Sequence, residues 1–181
     1  MFEFLWKTKV SHSQSNANKS ATQPDNTERL SAPSTQLHFD PNLVSQLLAD
    51  HQTLRGVFGD IVIAMKLKDM GLVKEKLDKF GDELNSHLLK ENVRFYVYLE
   101  HSLKNDPESA AIMLGFRREM QQIGKVVVDF LHKYTTEGDW NEAMWQGFQQ
   151  EVGGIGNVLT KRIQKEESTL YPLYLPQQDY R

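Results

Sequence analysis

The chain has 181 residues, a formal net charge of −3 and no cysteine, and 39% of its residues are hydrophobic. This length and composition predict a single globular domain with an apolar core, and the lack of cysteine excludes disulfides, thiolate metal sites and a cysteine nucleophile. The slightly negative net charge argues against a nucleic-acid partner, because proteins that bind nucleic acids usually have a basic surface. No run approaches the ~18 apolar residues that a membrane span needs. Because the start of the chain is too short for a secretory signal and contains Glu3, we expect a cytoplasmic protein.

The N-terminal part of the chain predicts a flexible segment. Residues 11–36 are rich in Ser, Asn, Thr and Gln and nearly lack large apolar side chains, so burial cannot offset the entropy that ordering would cost. Ahead of them stands MFEFLWKTK, which is either a frayed terminus or a short anchor for a partner or for the domain's own surface. We therefore divide the chain into a disordered tail, residues 1–36, and a folded domain, residues 37–181.

Four stretches of helical periodicity follow in chain order. The sequence DPN at 40–42 is a helix start signal, Gly71 breaks the first stretch from the second, and Asp-Pro at 106–107 starts the third. Their core-facing residues are Leu47, His51, Leu54, Phe58 and Ile61; then Val73, Leu77, Phe80, Leu84, His87, Glu91, Phe95 and Tyr98; then Phe116, Met120, Ile123, Val127 and Phe130; and finally Phe148, Val152, Ile155, Leu159, Arg162, Glu166 and Leu170. Four long helices with short links predict an all-α fold, an antiparallel up-down-up-down four-helix bundle.

The second half of this pattern repeats the first. LADHQTLRGVFGDI aligns with RREMQQIGKVVVDF, and LNSHLLKENVRFYVYL aligns with LTKRIQKEESTLYPLY. The equivalent positions are His51 and Met120, His87 and Arg162, Glu91 and Glu166, and Tyr96 and Tyr171. Two helix pairs therefore face each other with these positions at one level. Three glycines in the fourth stretch, Gly153, Gly154 and Gly156, cost helix stability and predict close approach of a neighbouring helix.

Three polar residues on the apolar faces need a common explanation. His87 and Glu91 are four residues apart, so they share one helix face, and His51 lies on the core face of the first helix. Charged groups are almost never buried without a partner. Imidazoles and carboxylates that converge from bundle helices are the usual way of building a metal site in such a core. The three residues therefore indicate a cation site.

These residues also carry a family resemblance. HLLKENVRFYVYL and RIQKEESTLYPLY resemble the His-x-x-x-Glu-Glu…Leu-Tyr-Pro signature of the hemerythrin-like HHE cation-binding family, and the resemblance extends over roughly residues 43–173. The resemblance implies a di-iron or other cation site inside the bundle. Members of that family bind dioxygen, sense iron or redox state, or act as regulators.

The second repeat departs from the family pattern, because Met120 and Arg162 stand where histidines are expected. The remaining set could hold one metal ion, iron or else zinc or manganese; its members are His51, His87, Glu91 and Glu166. Alternatively, the core holds no metal, and the guanidinium of Arg162, which is always charged and matched to carboxylates, bridges Glu91 and Glu166. Both interpretations stay open at the level of sequence.

The functional prediction is a non-catalytic cation-binding protein with a degenerate, at most mononuclear site, acting in sensing or regulation. The alternative is a metal-free regulatory bundle that binds a protein such as a sigma factor, because IGNVLTKRIQKEESTL and LDKFGDELNSHLL are similar, more weakly, to segments of the regulator-of-sigma-D family. An enzyme is disfavoured, since the Glu-x-x-His spacing of di-metal oxidases and a phosphate-binding glycine loop are both missing. The sequence predicts no oligomeric state.

Overall fold

A computed structural model describes residues 37–136 and 138–180. Its elements are α1 (Leu43–Lys66), α2 (Met70–Lys90), a π-helical turn (Glu91–Phe95), α3 (Tyr96–Ser102), α4 (Pro107–Thr136), α5 (Glu142–Lys165), a second π-helical turn (Glu166–Leu170) and two 3₁₀ turns (Tyr171–Leu173 and Gln177–Asp179). The first π turn joins α2 to α3 in one long helix, so the chain forms four long helices. The predicted all-α four-helix bundle is confirmed. The predicted tail, residues 1–36, lies outside the described residues.

Side-chain caps start three of the helices. Asp69 accepts a hydrogen bond from the backbone of Leu72 at 2.9 Å, Asp106 caps α4 as the Asp-Pro signal predicted, and Asn141 accepts from Met144 at 3.0 Å. Each such cap satisfies a helix N–H group that has no partner within the helix. These caps fix where the helices enter the bundle.

The break between α1 and α2 is not at Gly71. Gly71 lies in the first turn of α2, and the chain reverses one turn earlier, where Lys68 has a φ of 52°. A lysine in this left-handed region is uncommon. The glycine signal was therefore misplaced by a few residues, while the existence of the turn was predicted correctly.

The bundle core has two apolar clusters with a polar layer between them. One cluster contains Leu54, Leu84, Val127 and Ile155. The other is rich in tyrosine and phenylalanine and includes the start of α1 and the segment that follows α5. The residues of the polar layer are each at most 3% exposed; they are His51, His87, Glu91, Arg162 and Glu166. A buried polar layer of this kind requires that its members satisfy one another.

Both π turns begin at a carboxylate of the polar layer. The turns start at Glu91 and Glu166, which the internal repeat makes equivalent. A π turn inside an α-helix is rare, and the examples that occur are often found at functional sites. The repeat predicted the equivalence of these residues but gave no indication of the π geometry.

No described helix is both long and apolar enough to cross a membrane.

Candidate metal centre

Three side chains of the polar layer converge from three helices. His51 comes from α1, His87 from α2, and Glu166 from the residue that follows α5. Each offers a ligand atom, and these atoms lie within 4.8 Å of one another. Nε2 of His51 is 3.2 Å from Oε2 of Glu166, and the two imidazole rings have centroids 4.8 Å apart. Two imidazoles and one carboxylate therefore face a common space.

A carboxylate lies behind each histidine. Nδ1 of His51 is 2.9 Å from Oε1 of Glu167, and Nδ1 of His87 is 3.4 Å from Oδ2 of Asp50. A histidine that binds a metal usually donates its other ring N–H to a carboxylate or a carbonyl, which fixes the tautomer and the ring orientation. With Nδ1 of both rings engaged in this way, both Nε2 atoms face the shared space, where Nε2 of His51 also contacts Glu166 and the Tyr171 hydroxyl.

Glu91 lies beside this group with half of its carboxyl unpaired. The Tyr171 hydroxyl donates to Oε1 of Glu91 at 3.0 Å and is 3.1 Å from Nε2 of His51. Oε2 of Glu91 is buried and has no hydrogen-bond partner in the described part of the chain. It is 3.9 Å from Nε2 of His87, which is too far for a hydrogen bond. A buried polar atom without a partner is rare and marks a strained or functional position.

All three nitrogens of the Arg162 guanidinium donate hydrogen bonds. Nε donates to Oε1 of Glu166 at 2.5 Å, and one terminal nitrogen donates to the carbonyl of Phe116 at 3.0 Å and to Glu119 at 3.1 Å. The other terminal nitrogen donates to the Tyr96 hydroxyl at 3.3 Å. The guanidinium thus takes the position that the repeat assigns to an imidazole, and its charge is balanced by two carboxylates.

The predicted bridge from Arg162 to both carboxylates is only half present. Arg162 pairs with Glu166, but no ion pair joins it to Glu91 among residues 37–136 and 138–180. The bridge fails because Glu119 and Tyr96, on the other side of the guanidinium, hold its terminal nitrogens.

The pKa values of the two equivalent carboxyls, on Glu91 and Glu166, are shifted in opposite directions. Burial raises the pKa of Glu91 to about 8, and the negative charge of Glu166 adds to this effect. Burial also acts to raise the pKa of Glu166, but the hydrogen bond with His51 and the charge of Arg162 outweigh it, so this pKa falls below its ordinary value. Burial lowers the pKa of His87 to about 4, and the electrostatic interaction with His51 adds to this effect. At neutral pH without metal, Glu91 is therefore protonated, Glu166 is ionised and His87 is neutral.

The repeat extends to residues that the sequence analysis did not single out. Asp50 precedes His51 just as Glu119 precedes Met120. Asp50 contacts His87, and Glu119 contacts Arg162, so each carboxylate contacts the equivalent residue on the second helix of its pair. Each carboxylate also binds a lysine at an equivalent position, with Lys90 2.6 Å from Asp50 and Lys165 3.2 Å from Glu119. The alignment of the two repeats already contained this signal. Glu167 has no acidic counterpart in the first repeat, so its contact with His51 had no such signal.

The substitution at Met120 leaves that position without a ligand for a hard cation. Met120 is half-buried on α4 and lines a cavity beside His51 and His87. His132, also on α4, is exposed. Of the four predicted ligands, the structure brings His51, His87 and Glu166 together and leaves Glu91 adjacent.

Comparison with known proteins gives one match. The sequence model of the Hemerythrin HHE cation binding domain matches residues 42–174, which include both repeats and the whole polar layer. No curated protein and no solved structure matches the chain, and the weaker resemblance to the regulator-of-sigma-D family finds no support. The matched range covers most of the chain. The chain therefore belongs to the hemerythrin HHE cation-binding family.

Proposed function

We propose that this domain binds a single transition-metal ion in its polar layer and that the ion's presence is the signal in a sensing or regulatory role. The ligands are Nε2 of His51, Nε2 of His87 and Oε2 of Glu166, with Glu91 as the fourth. The observation that carries this proposal is the carboxylate behind Nδ1 of each histidine, an arrangement typical of histidines that ligate metals.

The residues present fit one cation and not two. The unpaired Oε2 of Glu91 and the three converging ligand atoms supply a set of two imidazoles and two carboxylates. Iron is the ion we propose; zinc and manganese suit the same donors. A second ion would need ligands at Met120 and Arg162, where the chain has a thioether and a guanidinium that repels cations.

The bound ion would supply a Lewis-acidic centre. The chain's own residues hold the protons around it. Nδ1–H of each histidine would stay on its carboxylate, which leaves Nε2 of each ring to hold the ion, and the Tyr171 hydroxyl would lie beside Nε2 of His51. Glu91 must give up its proton to act as a ligand, so metal uptake releases protons.

The C-terminal segment offers a route from the ion to the surface. Tyr171 begins a 3₁₀ turn, and three residues later the Tyr174 hydroxyl accepts a hydrogen bond from the backbone of Asp40 at 3.0 Å. The Tyr98 hydroxyl holds the same segment by donating to the carbonyl of Leu175 at 2.8 Å. A change in the contacts of Tyr171 therefore bears on the segment that packs next to the start of α1, and this supports a regulatory role.

A metal-free core is the second candidate, and the pairing of Arg162 with Glu166 at 2.5 Å favours it. In that case the guanidinium replaces the ion permanently, and the bundle acts by binding a protein partner such as a sigma factor.

Metal analysis of protein purified without an affinity tag tests the proposal. We expect one equivalent of iron per chain, lost in His87→Ala and retained in His132→Ala, which removes an exposed histidine. No stoichiometric metal after purification or after reconstitution with ferrous ion would contradict the metal site and leave the metal-free bundle.

Asp50→Asn tests the support behind His87. The amide cannot accept the ring N–H as strongly as a carboxylate does, so we expect metal affinity to fall by about 10–100-fold, as is usual when such a supporting group is changed. Competition with a chelator of known affinity measures the change. Asp82→Asn, on the exposed face of α2, should leave the affinity unchanged; equal affinity in all three proteins would mean that Asp50 does not orient His87.

A further inference from the structure

A cavity of about 240 Å³ lies beside the polar layer and is lined by residues from all four long helices. Its wall is mostly apolar, with Phe58, Phe80, Leu84, Met120 and Leu159 among the lining residues. The buried residues His51, His87, Arg162 and Glu166 line its inner end, and three of them are the proposed metal ligands. Proteins bind small molecules mainly in pockets of this kind, with apolar walls and a few convergent polar groups.

The volume sets the size of the occupant. An apolar cavity of about 150 Å³ is enough to hold benzene. By proportion, 240 Å³ accommodates a molecule of about ten non-hydrogen atoms. This is far more space than a water or a diatomic gas requires, because one water molecule takes up about 30 Å³ in the liquid.

The charges on the wall exclude an ionic occupant. Arg55 pairs with Glu167 at 3.1 Å, and Arg162 pairs with Glu166 at 2.5 Å. Every charged side chain that lines the cavity, apart from the histidines, thus already has an oppositely charged partner. A charged ligand at the inner end would either break the buried pair of Arg162 and Glu166 or remain without a partner, and both are costly. The pair of Arg55 and Glu167 is about a third exposed and opposes a charged ligand less.

The cavity reaches the surface between α1 and α5 at two small residues. Gly59 on α1 and Thr160 on α5 both line the cavity and are exposed, and a Cβ atom at Gly59 would meet nothing within 4 Å. Deeper in the cavity, Gly156 lies against the ring of Phe58, so that a Cβ atom there would be 2.6 Å from it. The outer end is therefore open, while the ring of Phe58 is packed tightly in the wall.

We propose that this cleft binds a neutral, largely apolar small molecule of the size of a substituted benzene, which enters between Gly59 and Thr160. At the inner end, Nε2 of His87 makes no hydrogen bond to a described residue, since its nearest carboxylate oxygen, on Glu91, is 3.9 Å away. A single hydroxyl on the ligand would bind there in the metal-free protein. The apolar contacts do not depend on a metal ion, so the site exists whether or not the polar layer is loaded.

Titration of metal-free protein with 2-phenylethanol tests the proposal, with the methyl resonance of Met120 as the reporter. We expect saturable binding with a ring-current shift of that resonance. Phenylacetate and phenethylamine, which carry a charge on the same body, should bind at least about tenfold more weakly.

A matched pair of glycine variants tests the entrance. Gly59→Leu places a side chain over the opening and should weaken binding at least about tenfold, whereas Gly56→Leu, also on α1 and also with nothing within 4 Å of its Cβ position, lies outside the lining and should bind like wild type. Thr160→Phe closes the opening from α5 and gives a second, independent block.

Three results would overturn the proposal: no saturable shift of Met120, equal binding by the two glycine variants and wild type, or phenylacetate binding as tightly as the alcohol. Because these titrations use metal-free protein, they remain informative when no metal is found.

Discussion

The two helix pairs use equivalent positions in opposite ways. In α1 and α2, a histidine stands four residues before Glu91, and the pKa of this carboxyl is raised to about 8. In the second pair, Arg162 stands four residues before Glu166, and the pKa of that carboxyl is lowered. Both carboxyls are buried and both begin a π turn. The backbone is thus duplicated, and the charge state follows the neighbours of each carboxyl: Glu166 has His51 and Arg162 beside it, whereas burial and the negative charge of Glu166 dominate at Glu91.

The difference shows how one bundle can satisfy two equivalent buried carboxyls in two ways. A buried carboxylate needs a cation or a proton. The second pair has a cation built into the chain, whereas the first pair carries a proton on Glu91. The tyrosines link the halves, because Tyr171 of the second pair donates to Glu91 and Tyr96 of the first pair accepts from Arg162.

Removing the built-in cation should have the largest effect on stability. Arg162→Ala leaves Glu166 buried without its partner, and we expect the free energy of unfolding to fall by about 3–5 kcal/mol, as for other broken buried pairs. Urea unfolding of metal-free protein at neutral pH measures it.

Two comparisons show whether the unpaired charge is the cause. Lys165→Ala removes an exposed partner of the same Glu119 and should cost less than about 1 kcal/mol. The double variant Arg162→Met with Glu166→Gln removes both charges and should recover much of the loss. A loss in the double variant as large as in Arg162→Ala would point to lost packing instead of lost charge.

Glu91→Gln should stabilise the metal-free protein, and only at higher pH. The pKa of Glu91 in the folded state, about 8, lies above its ordinary value of 4.5, so the folded state binds more protons between these values and wild type loses stability as pH rises through this window. Glutamine does not titrate. The advantage of the variant is therefore small near pH 4 and reaches a few kcal/mol above pH 8, on the order expected from such a shift.

Urea unfolding across this pH range checks the expectation, with Asp82→Asn as the control on the exposed face of the same helix. A constant difference between Glu91→Gln and wild type at every pH would show that the carboxyl is not protonated in the folded core.

The contact between the two halves predicts a smaller effect. A Cβ atom at Gly156 would lie 2.6 Å from the ring of Phe58 on α1, whereas one at Gly153 would meet nothing within 4 Å. Gly153→Ala should gain up to about 1 kcal/mol from helix propensity. Gly156→Ala has the same gain but displaces Phe58, which costs about 1–3 kcal/mol, so its net effect should be a loss of about 1 kcal/mol. Thermal unfolding of both variants compares them; equal melting temperatures would show that Phe58 moves freely.

The sequence predicted the helices well because their core faces repeat with helical spacing over long stretches, and Asp106-Pro107 marked a start correctly. It misplaced the turn after α1, because the left-handed residue there is Lys68 and not a glycine. It also grouped Gly153, Gly154 and Gly156 together, although only Gly156 has a neighbouring helix against it.

The sequence periodicity predicted those site residues that lie on the core-facing side of a helix. His51, His87 and Glu166 lie on the faces that point to the core, and so they converge. The partners behind them could not be predicted in the same way, since Asp50 and Glu167 lie beside the core face and reach the histidines only through the packing of neighbouring helices. The direction of Arg162 likewise depends on Glu119 and Tyr96, which belong to other helices.

Arg162 gives the bundle a counter-ion that no chelator can extract and no change of oxidation state can alter. Because a guanidinium stays charged throughout the physiological pH range, Glu166 is neutralised as soon as the chain folds, before any ion arrives. The domain should therefore be emptied and refilled without unfolding. Under the proposed function, a response to loading would then begin in the half that has no such counter-ion, at His51, Glu91 and Tyr171, whose hydroxyl contacts both.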